Sequence, residues 1–133
     1  MKQMQLGMIG LGRMGANMSR RVAAAGHFVV AYDRNVEAAR GIASHGITAA
    51  ESLGALATSL AAPRTVWLMV PAGVVDNAID DAAAHLSPGD VIVDGGNSHY
   101  QEAPRRAERL AARGIGFVDV GTSGGVWCRH RLR

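Results

Sequence analysis

Short runs rich in Val, Ile and Leu alternate along this chain with longer, Ala-rich stretches of helical period. That alternation admits few folds, because a strand followed each time by a helix is the pattern of a parallel sheet covered by helices. Six strands are expected, over residues 5–9, 28–33, 47–49, 65–70, 91–94 and 117–120, with five helices between them over 14–25, 36–44, 52–61, 72–86 and 101–113. In the fourth helix Val75, Ile79, Ala82 and Leu86 recur at helical spacing and form one apolar face, which turns Asp76, Asp80 and Asp81 elsewhere. Gly26, Gly46, Pro63, the Pro88-Gly89 pair and Gly114 mark the junctions. With 133 residues, 48% of them hydrophobic, the chain suits one such domain rather than two and can bury about two-thirds of its unfolded surface. The expected fold is α/β: a doubly wound parallel sheet with right-handed crossovers, in a single domain.

A net charge of +3 would invite a nucleic-acid or anionic-membrane partner, but its placement does not. Arg129, Arg131 and Arg133 lie in the last six residues, so the first 127 carry as many basic as acidic side chains. Neither nucleic acid nor membrane is an expected partner. The single cysteine, Cys128, allows no intrachain disulfide and fits a reducing compartment. Lys2 precedes an apolar run that Arg13 interrupts early, so no signal peptide is read. The most apolar later stretch, 65–75, is broken by Pro71 and Gly73 and falls short of the roughly 20 residues of a membrane helix. A cytoplasmic location is expected. Asp76, Asp80 and Asp81 do not suggest a metal site, because acids early in a helix answer its dipole and no histidine has matching spacing. The run of Glu102, Arg105, Arg106, Glu108 and Arg109 reads as a solvated helix face, with Glu102 and Arg106 paired one turn apart.

In a doubly wound sheet ligands bind beyond the carboxyl ends of the strands, which places the candidate site in loops 10–15, 33–35, 70–73, 95–98 and 121–125. Gly10-Leu11-Gly12-Arg13-Met14-Gly15 is a G-x-G-x-x-G run directly after an apolar strand and at the mouth of a helix. Gly10 would permit the tight turn, Gly12 would let the backbone approach a pyrophosphate, and Gly15 would let helix and strand pack closely. The diphosphate would rest on the helix N-terminus, where free N–H groups and the dipole favour negative charge. In a chain with 17 glycines the run alone is weak evidence; its position between strand and helix is what favours a dinucleotide. Asp33, eighteen residues after Gly15, is placed to accept hydrogen bonds from a ribose and favours NAD, whereas Arg34 next to it could pair with the extra phosphate of NADP. Asp94-Gly95-Gly96-Asn97-Ser98 follows the fifth strand, where nicotinamide and substrate would meet, and Asn97 offers both donor and acceptors. Gly121-Thr122-Ser123-Gly124-Gly125 repeats that design after the sixth strand. Of the histidines, His99 beside Asn97 is the one with a chance of lining this site.

These residues resemble the 6-phosphogluconate dehydrogenases, within the wider β-hydroxyacid dehydrogenases, from Met4 to about Trp127. The opening Gly7-Met8-Ile9-Gly10-Leu11-Gly12-Arg13-Met14-Gly15-Ala16-Asn17 resembles the whole superfamily. Residues 94–98 and Val118-Asp119-Val120-Gly121-Thr122-Ser123-Gly124-Gly125-Val126-Trp127 are more specific and look like the shorter, NAD-type branch. The hydroxyisobutyrate dehydrogenases differ where Gly95-Gly96-Asn97 stands. The resemblance implies a Rossmann-type NAD(P)-binding domain over 1–127. It also implies oxidation of 6-phosphogluconate at its C3 hydroxyl by hydride transfer to the nicotinamide, then loss of CO₂ to give ribulose 5-phosphate, a pentose phosphate pathway step. Carried over residue by residue, it assigns the pyrophosphate to Gly10, Leu11, Gly12, Arg13, Met14 and Gly15, and the adenosine ribose to Asp33, Arg34 and Asn35. Val70, Pro71 and Ala72 would line the dinucleotide path, Asn97 would contact cofactor and substrate, and Ser123, Gly124 and Gly125 would bind substrate. Full-length relatives are expected to be homo-oligomers.

After Trp127 the family continues into a long helix carrying its catalytic lysine and then an all-helical domain, whereas this sequence reads Cys128-Arg129-His130-Arg131-Leu132-Arg133. Residues 128–133 thus read as an atypical Arg-rich tail from a frameshifted or truncated frame. Lys2, before the first strand, is the sole lysine, so no catalytic residue is assigned within the 133. Two classes of function stay open: the cofactor half of a 6-phosphogluconate dehydrogenase or of a related 3-hydroxyacid dehydrogenase, and a stand-alone dinucleotide-binding module without turnover.

Overall fold

A computed structural model describes residues 4–44, 46–96 and 100–120. Its strands are β1 (Gln5–Ile9), β2 (Phe28–Tyr32), β3 (Ile47–Ala49), β4 (Thr65–Leu68), β5 (Val91–Asp94) and β6 (Gly116–Asp119). They form one sheet in the order β3-β2-β1-β4-β5-β6, with every ladder parallel. The helices are α1 (Arg13–Ala24), α2 (Val36–Ile42), α3 (Leu53–Ser59), α4 (Val75–Ala83) and α5 (Ala103–Ala111). This is the doubly wound Rossmann-type sheet, and its strand order reverses direction between β1 and β4.

Side-chain alternation along each strand divides the core in two. Ile9, Val30, Val66, Leu68, Ile92 and Phe117 pack against α3, α4 and α5. Met8, Val29, Ala31 and Ile47 pack on the opposite face with α1 and α2. Strands buried on both faces explain why these runs are almost continuously apolar. Ser52 caps α3 by accepting from the Ala55 N–H at 3.0 Å, and Asn35 caps α2 by accepting from the Glu37 N–H at 3.1 Å.

Several expected boundaries move. The second strand ends at Tyr32, not 33, because the Asp33 carboxylate turns back to accept backbone N–H groups from Leu11 and Asn35. The fourth strand ends at Leu68, and the sixth runs over Gly116–Asp119. The expected helix 72–86 opens with a 3-10 turn, Ala72–Val74, before α4, and 101–113 opens with a second such turn, Tyr100–Glu102, before α5. Pro104 sits in the first turn of α5, where a missing N–H costs nothing.

The charged run on α5 is a solvated face only in part: Arg105 and Glu108 are exposed, but Arg106 is not. Arg106 is buried; its Nε donates to Asp76 Oδ1 at 2.9 Å, and its guanidinium lies 3.9 Å from the buried Asp94. Arg105 pairs with Glu102 and Asp76, and Arg109 with Asp80 at 2.9 Å. Asp76 and Asp80 of α4 therefore meet the arginines of α5 across the helix–helix contact, and Glu102 pairs with Arg105 rather than Arg106. The hydrogen bond from Arg106 holds the Asp76 carboxyl below its ordinary range, outweighing the effect of burial.

A second ion pair fastens the amino ends of the strands. Asp90 is 1% exposed; Oδ1 accepts from the Arg64 N–H at 2.7 Å, and Oδ2 accepts from Arg64 Nη1 at 2.9 Å and the Ser87 N–H at 2.8 Å. Burial pushes this carboxyl up, but the N–H groups of Arg64 and Ser87 and the Arg64 guanidinium outweigh it, so Asp90 is held below the usual carboxylate range. Because the folded value lies below the unfolded one of about 3.9, its stabilisation is present above that pH and is lost as pH falls through the lowered value. Asp90→Ala should cost about 3 kcal/mol in urea unfolding at pH 7, since it strands a cation and two N–H groups. The gap between variant and wild type should shrink below pH 4; equal unfolding midpoints at pH 7 would contradict this account.

A candidate dinucleotide site at the switch point

Where β1 and β4 part, the loops after β1, β2 and β4 leave a cavity of about 780 Å³. Its floor is the glycine loop. Gly10 has φ +97°, and a Cβ there would lie 2.5 Å from the Met69 carbonyl oxygen. A Cβ on Gly15 would run into the Gly10 carbonyl, so the first turn of α1 rests directly on the loop. Gly12 differs, since its φ is −66° and nothing lies within 4 Å of a Cβ built on it. Two glycines thus serve internal packing, while the third opens onto the cavity.

No side chain caps α1, and its first turn contains no acid. The first four N–H groups of a helix lack partners inside it, so the start of α1 presents donors and the positive dipole end. Gly12, Met14 and Gly15 line the cavity there. At the end of β2, Asp33 Oδ2 accepts from the Leu11 N–H at 2.6 Å and Oδ1 from the Asn35 N–H at 2.8 Å. The carboxylate ties the glycine loop to the cap of α2, and each oxygen keeps lone-pair capacity toward the cavity.

Of the residues expected at the cofactor, Gly10, Leu11, Gly12, Met14, Gly15, Asp33, Arg34, Val70 and Pro71 all line this cavity. Arg13 opens α1 but is exposed and does not line it, Asn35 serves as the cap of α2, and Ala72 begins the 3-10 turn outside the lining. Asn97, His99, Ser123, Gly124 and Gly125 lie outside the described residues. The approach to Asn97 is visible: Asp94 Oδ1 accepts from the Gly96 N–H at 3.0 Å, a Cβ on Gly96 would lie 2.9 Å from the Val70 carbonyl, and one on Gly95 would strike the Trp67 indole. The 94–96 turn is therefore built on glycines that pack against the end of β4.

Sequence reasoning missed the far wall. Val74, Asn77, Ala78 and Asp81 line the cavity, together with Leu53 and Tyr32. Residues 74, 77, 78 and 81 follow helical spacing and form a stripe beside the apolar face of Val75, Ile79 and Ala82. A second stripe on the helix that follows β4 was the available signal. Among the described residues no three His, Cys, Asp or Glu side chains gather as a metal site, and no helix is long and apolar enough to cross a membrane.

A family model described as the NAD binding domain of 6-phosphogluconate dehydrogenase matches residues 5–130. The chain belongs to that family. The NAD(+)-dependent, decarboxylating 6-phosphogluconate dehydrogenase of Haloferax volcanii is 50% identical over 123 residues, which cover 92% of this chain and 40% of that protein. The chain thus spans about two-fifths of that relative's length. Among solved structures, the 6-phosphogluconate dehydrogenase of Plasmodium falciparum, solved in its apo form, with its cofactor NADP+ and with its substrate 6-phosphogluconate, superposes with TM-score 0.82 at 28% identity, over 91% of this chain and 27% of that one. The 3-hydroxyisobutyrate dehydrogenase of Mycobacterium tuberculosis superposes with TM-score 0.79 at 29% identity, over 93% of this chain and 42% of that one.

The glycine geometry of this family member separates folding from binding. Gly12→Val should leave urea stability within about 1 kcal/mol of wild type, the cost being a poorer residue at the helix cap. Gly15→Val should cost several kcal/mol or prevent folding, because α1 would have to lift from its loop. Equal destabilisation by the two substitutions would contradict the packing described.

Proposed function

We propose that this chain is the NAD-binding part of a 6-phosphogluconate dehydrogenase, which oxidises 6-phosphogluconate at its C3 hydroxyl and releases CO₂ to give ribulose 5-phosphate. The observation that carries this reading is the uncapped start of α1 facing the cavity through Gly12, a cradle that a side chain would fill. A pyrophosphate fits there and nowhere needs a new charge, since N–H groups and the helix dipole supply the complement. Bound NAD supplies the hydride acceptor. The chain's own residues hold and orient it: Gly10, Leu11, Gly12, Met14 and Gly15 at the pyrophosphate, Asp33 and Arg34 at the adenosine ribose, and Val70 and Pro71 along its path.

Asn97 is assigned to both cofactor and substrate, and Ser123, Gly124 and Gly125 to the substrate. Residues 1–127 form the NAD-binding domain, and the whole enzyme is a cytoplasmic homo-oligomer. The related hydroxyisobutyrate dehydrogenase shares the fold, but Gly95-Gly96-Asn97 favours the phosphogluconate branch.

Cofactor choice follows from Asp33. Its remaining lone pairs can accept ribose hydroxyls, whereas a 2′-phosphate would meet a like charge. Unit charges about 4 Å apart repel by about 1 to 4 kcal/mol at effective dielectrics of 80 to 20, or roughly fivefold and upward in affinity. Arg34, exposed on the cavity wall, is the one competing influence. Calorimetry on the purified chain should show NAD binding at least about fivefold more tightly than NADP, with the preference intact in Arg34→Ala. NADP binding as tightly as NAD, and weakening selectively in Arg34→Ala, would transfer cofactor choice from Asp33 to Arg34; absence of NAD binding at millimolar concentration would overturn the function itself.

A further inference from the structure

The buried stripe of α5 is Ala103, Arg106 and Leu110, so one core position of this helix holds a charge. A buried cation is costly without partners, and this one faces two acids. Its Nε and Nη2 donate to the Asp76 carboxylate at 2.9 and 3.4 Å, while Nη1 is turned toward β5 and lies 3.9 Å from Asp94 Oδ2. Asp94 is fully buried at the end of β5, and the register sets it beside Asp119 of β6, also buried and on the same face of the sheet. Arg106 thus brings positive charge to a place where two strand ends each carry an acid.

The end of β5 leads into the candidate site. Asp94 Oδ1 accepts from the Gly96 N–H at 3.0 Å, closing the turn that precedes Asn97, and Gly96 itself lines the cavity. Across the sheet from β2 through β1 and β4 to β5, Gly96 stands three strand spacings, about 14 Å, from Asp33. A dinucleotide with its adenosine ribose at Asp33 and its pyrophosphate over the glycine loop therefore directs its nicotinamide toward the turn at Gly96. A hydrogen bond accepted by an ionised carboxylate is about twice as strong as a neutral one, so the turn is held best while Asp94 stays charged. In a buried place that charge depends on a nearby cation. A Cβ on Gly96 would lie 2.9 Å from the Val70 carbonyl oxygen, so a turn loosened at Asp94 shifts against the wall that Val70 and Pro71 form.

We infer that Arg106, acting through Asp94, is a positioning residue for the nicotinamide half of the dinucleotide, because it keeps the 94–96 turn closed at the end of the cavity farthest from Asp33. The inference rests on the NAD-binding reading above and adds to it a residue that touches no ligand. Arg106 does not line the cavity, so its influence passes through the turn. The adenosine and pyrophosphate contacts lie on the loops after β1 and β2 and do not depend on it.

The test is calorimetry on the full 133-residue chain with NAD and with ADP-ribose, which keeps the adenosine and pyrophosphate but lacks the nicotinamide, in wild type, Arg106→Met and Asp94→Asn. Wild type should bind NAD at least about fivefold more tightly than ADP-ribose. In Arg106→Met, NAD should weaken to within about twofold of ADP-ribose, while ADP-ribose stays within about twofold of its wild-type affinity. Asp94→Asn removes one of two neighbouring acids and keeps an acceptor for the Gly96 N–H, so it folds, and it should narrow the gap in the same direction. A urea melt of each variant checks folding; if Arg106→Met shows no cooperative transition, Asp94→Asn decides. Equal binding of the two ligands by wild type, an undiminished preference in a folded variant, or parallel weakening of both ligands would overturn the positioning role while leaving NAD binding in place. Failure of both ligands to bind wild type would overturn the NAD-binding reading and this inference with it.

Discussion

The first turn of α1 lies so close to the loop before it that no side chain fits between them. Gly15 rests on the carbonyl of Gly10, and Gly10 in turn lies against the carbonyl of Met69 at the end of β4. This double backbone contact ties the helix to the two strands whose connections run in opposite directions from the sheet centre. It fixes the helix start over the switch point and leaves Gly12 facing open space. Every later feature of the site depends on that placement, because a helix end set even one residue further away would turn its N–H groups from the cavity.

Asp33 reinforces the same geometry from the side. A carboxylate at the end of β2 that accepts N–H groups from both the glycine loop and the cap of α2 is part of the scaffold before any ligand arrives. A residue suited to a ribose therefore also braces the loop that would hold the pyrophosphate. Elsewhere the scaffold is held by apolar burial on two faces, with two seams of charge that reach buried side chains. Asp90 with Arg64 closes the amino ends of β4 and β5, and Asp76 and Asp80 of α4 meet the arginines of α5 beside the carboxyl end of β5. The contact of Arg106 with Asp94, whose other oxygen holds the Gly96 N–H, extends the second seam to the turn that leads into Asn97.

Much of this architecture is legible in the amino-acid order, for a physical reason. A strand buried on both faces leaves a continuous apolar run, and even the three-residue β3 is recognisable as Ile47–Ala49 because glycine and helical stretches frame it. Helix ends are less legible, since 3-10 turns at 72–74 and 100–102 have no distinct side-chain period. Charges mislead where partners are distant in sequence. Arg106 stands four residues from Glu102 but pairs with Asp76, thirty residues away, and no local rule for one helix reveals a neighbour's acids. Asp90 carries no motif at all; its importance arises only when Arg64, twenty-six residues earlier, meets the turn that Ser87 and Asp90 share. The cavity wall on α4 is hidden for another reason: its stripe mixes Val74 and Ala78 with Asn77 and Asp81, so it has neither the uniform apolarity of a core face nor the uniform polarity of a solvated one.

The central claim is that the start of α1 holds the anionic centre of NAD. Amide chemical shifts of the isotopically labelled chain, followed residue by residue as NAD is added, test it most directly. The account predicts saturable shifts that are largest for the N–H groups of residues 12–15, with smaller ones near Asp33. Saturable shifts concentrated on another part of the sheet, with the amides at the start of α1 unmoved, would contradict it.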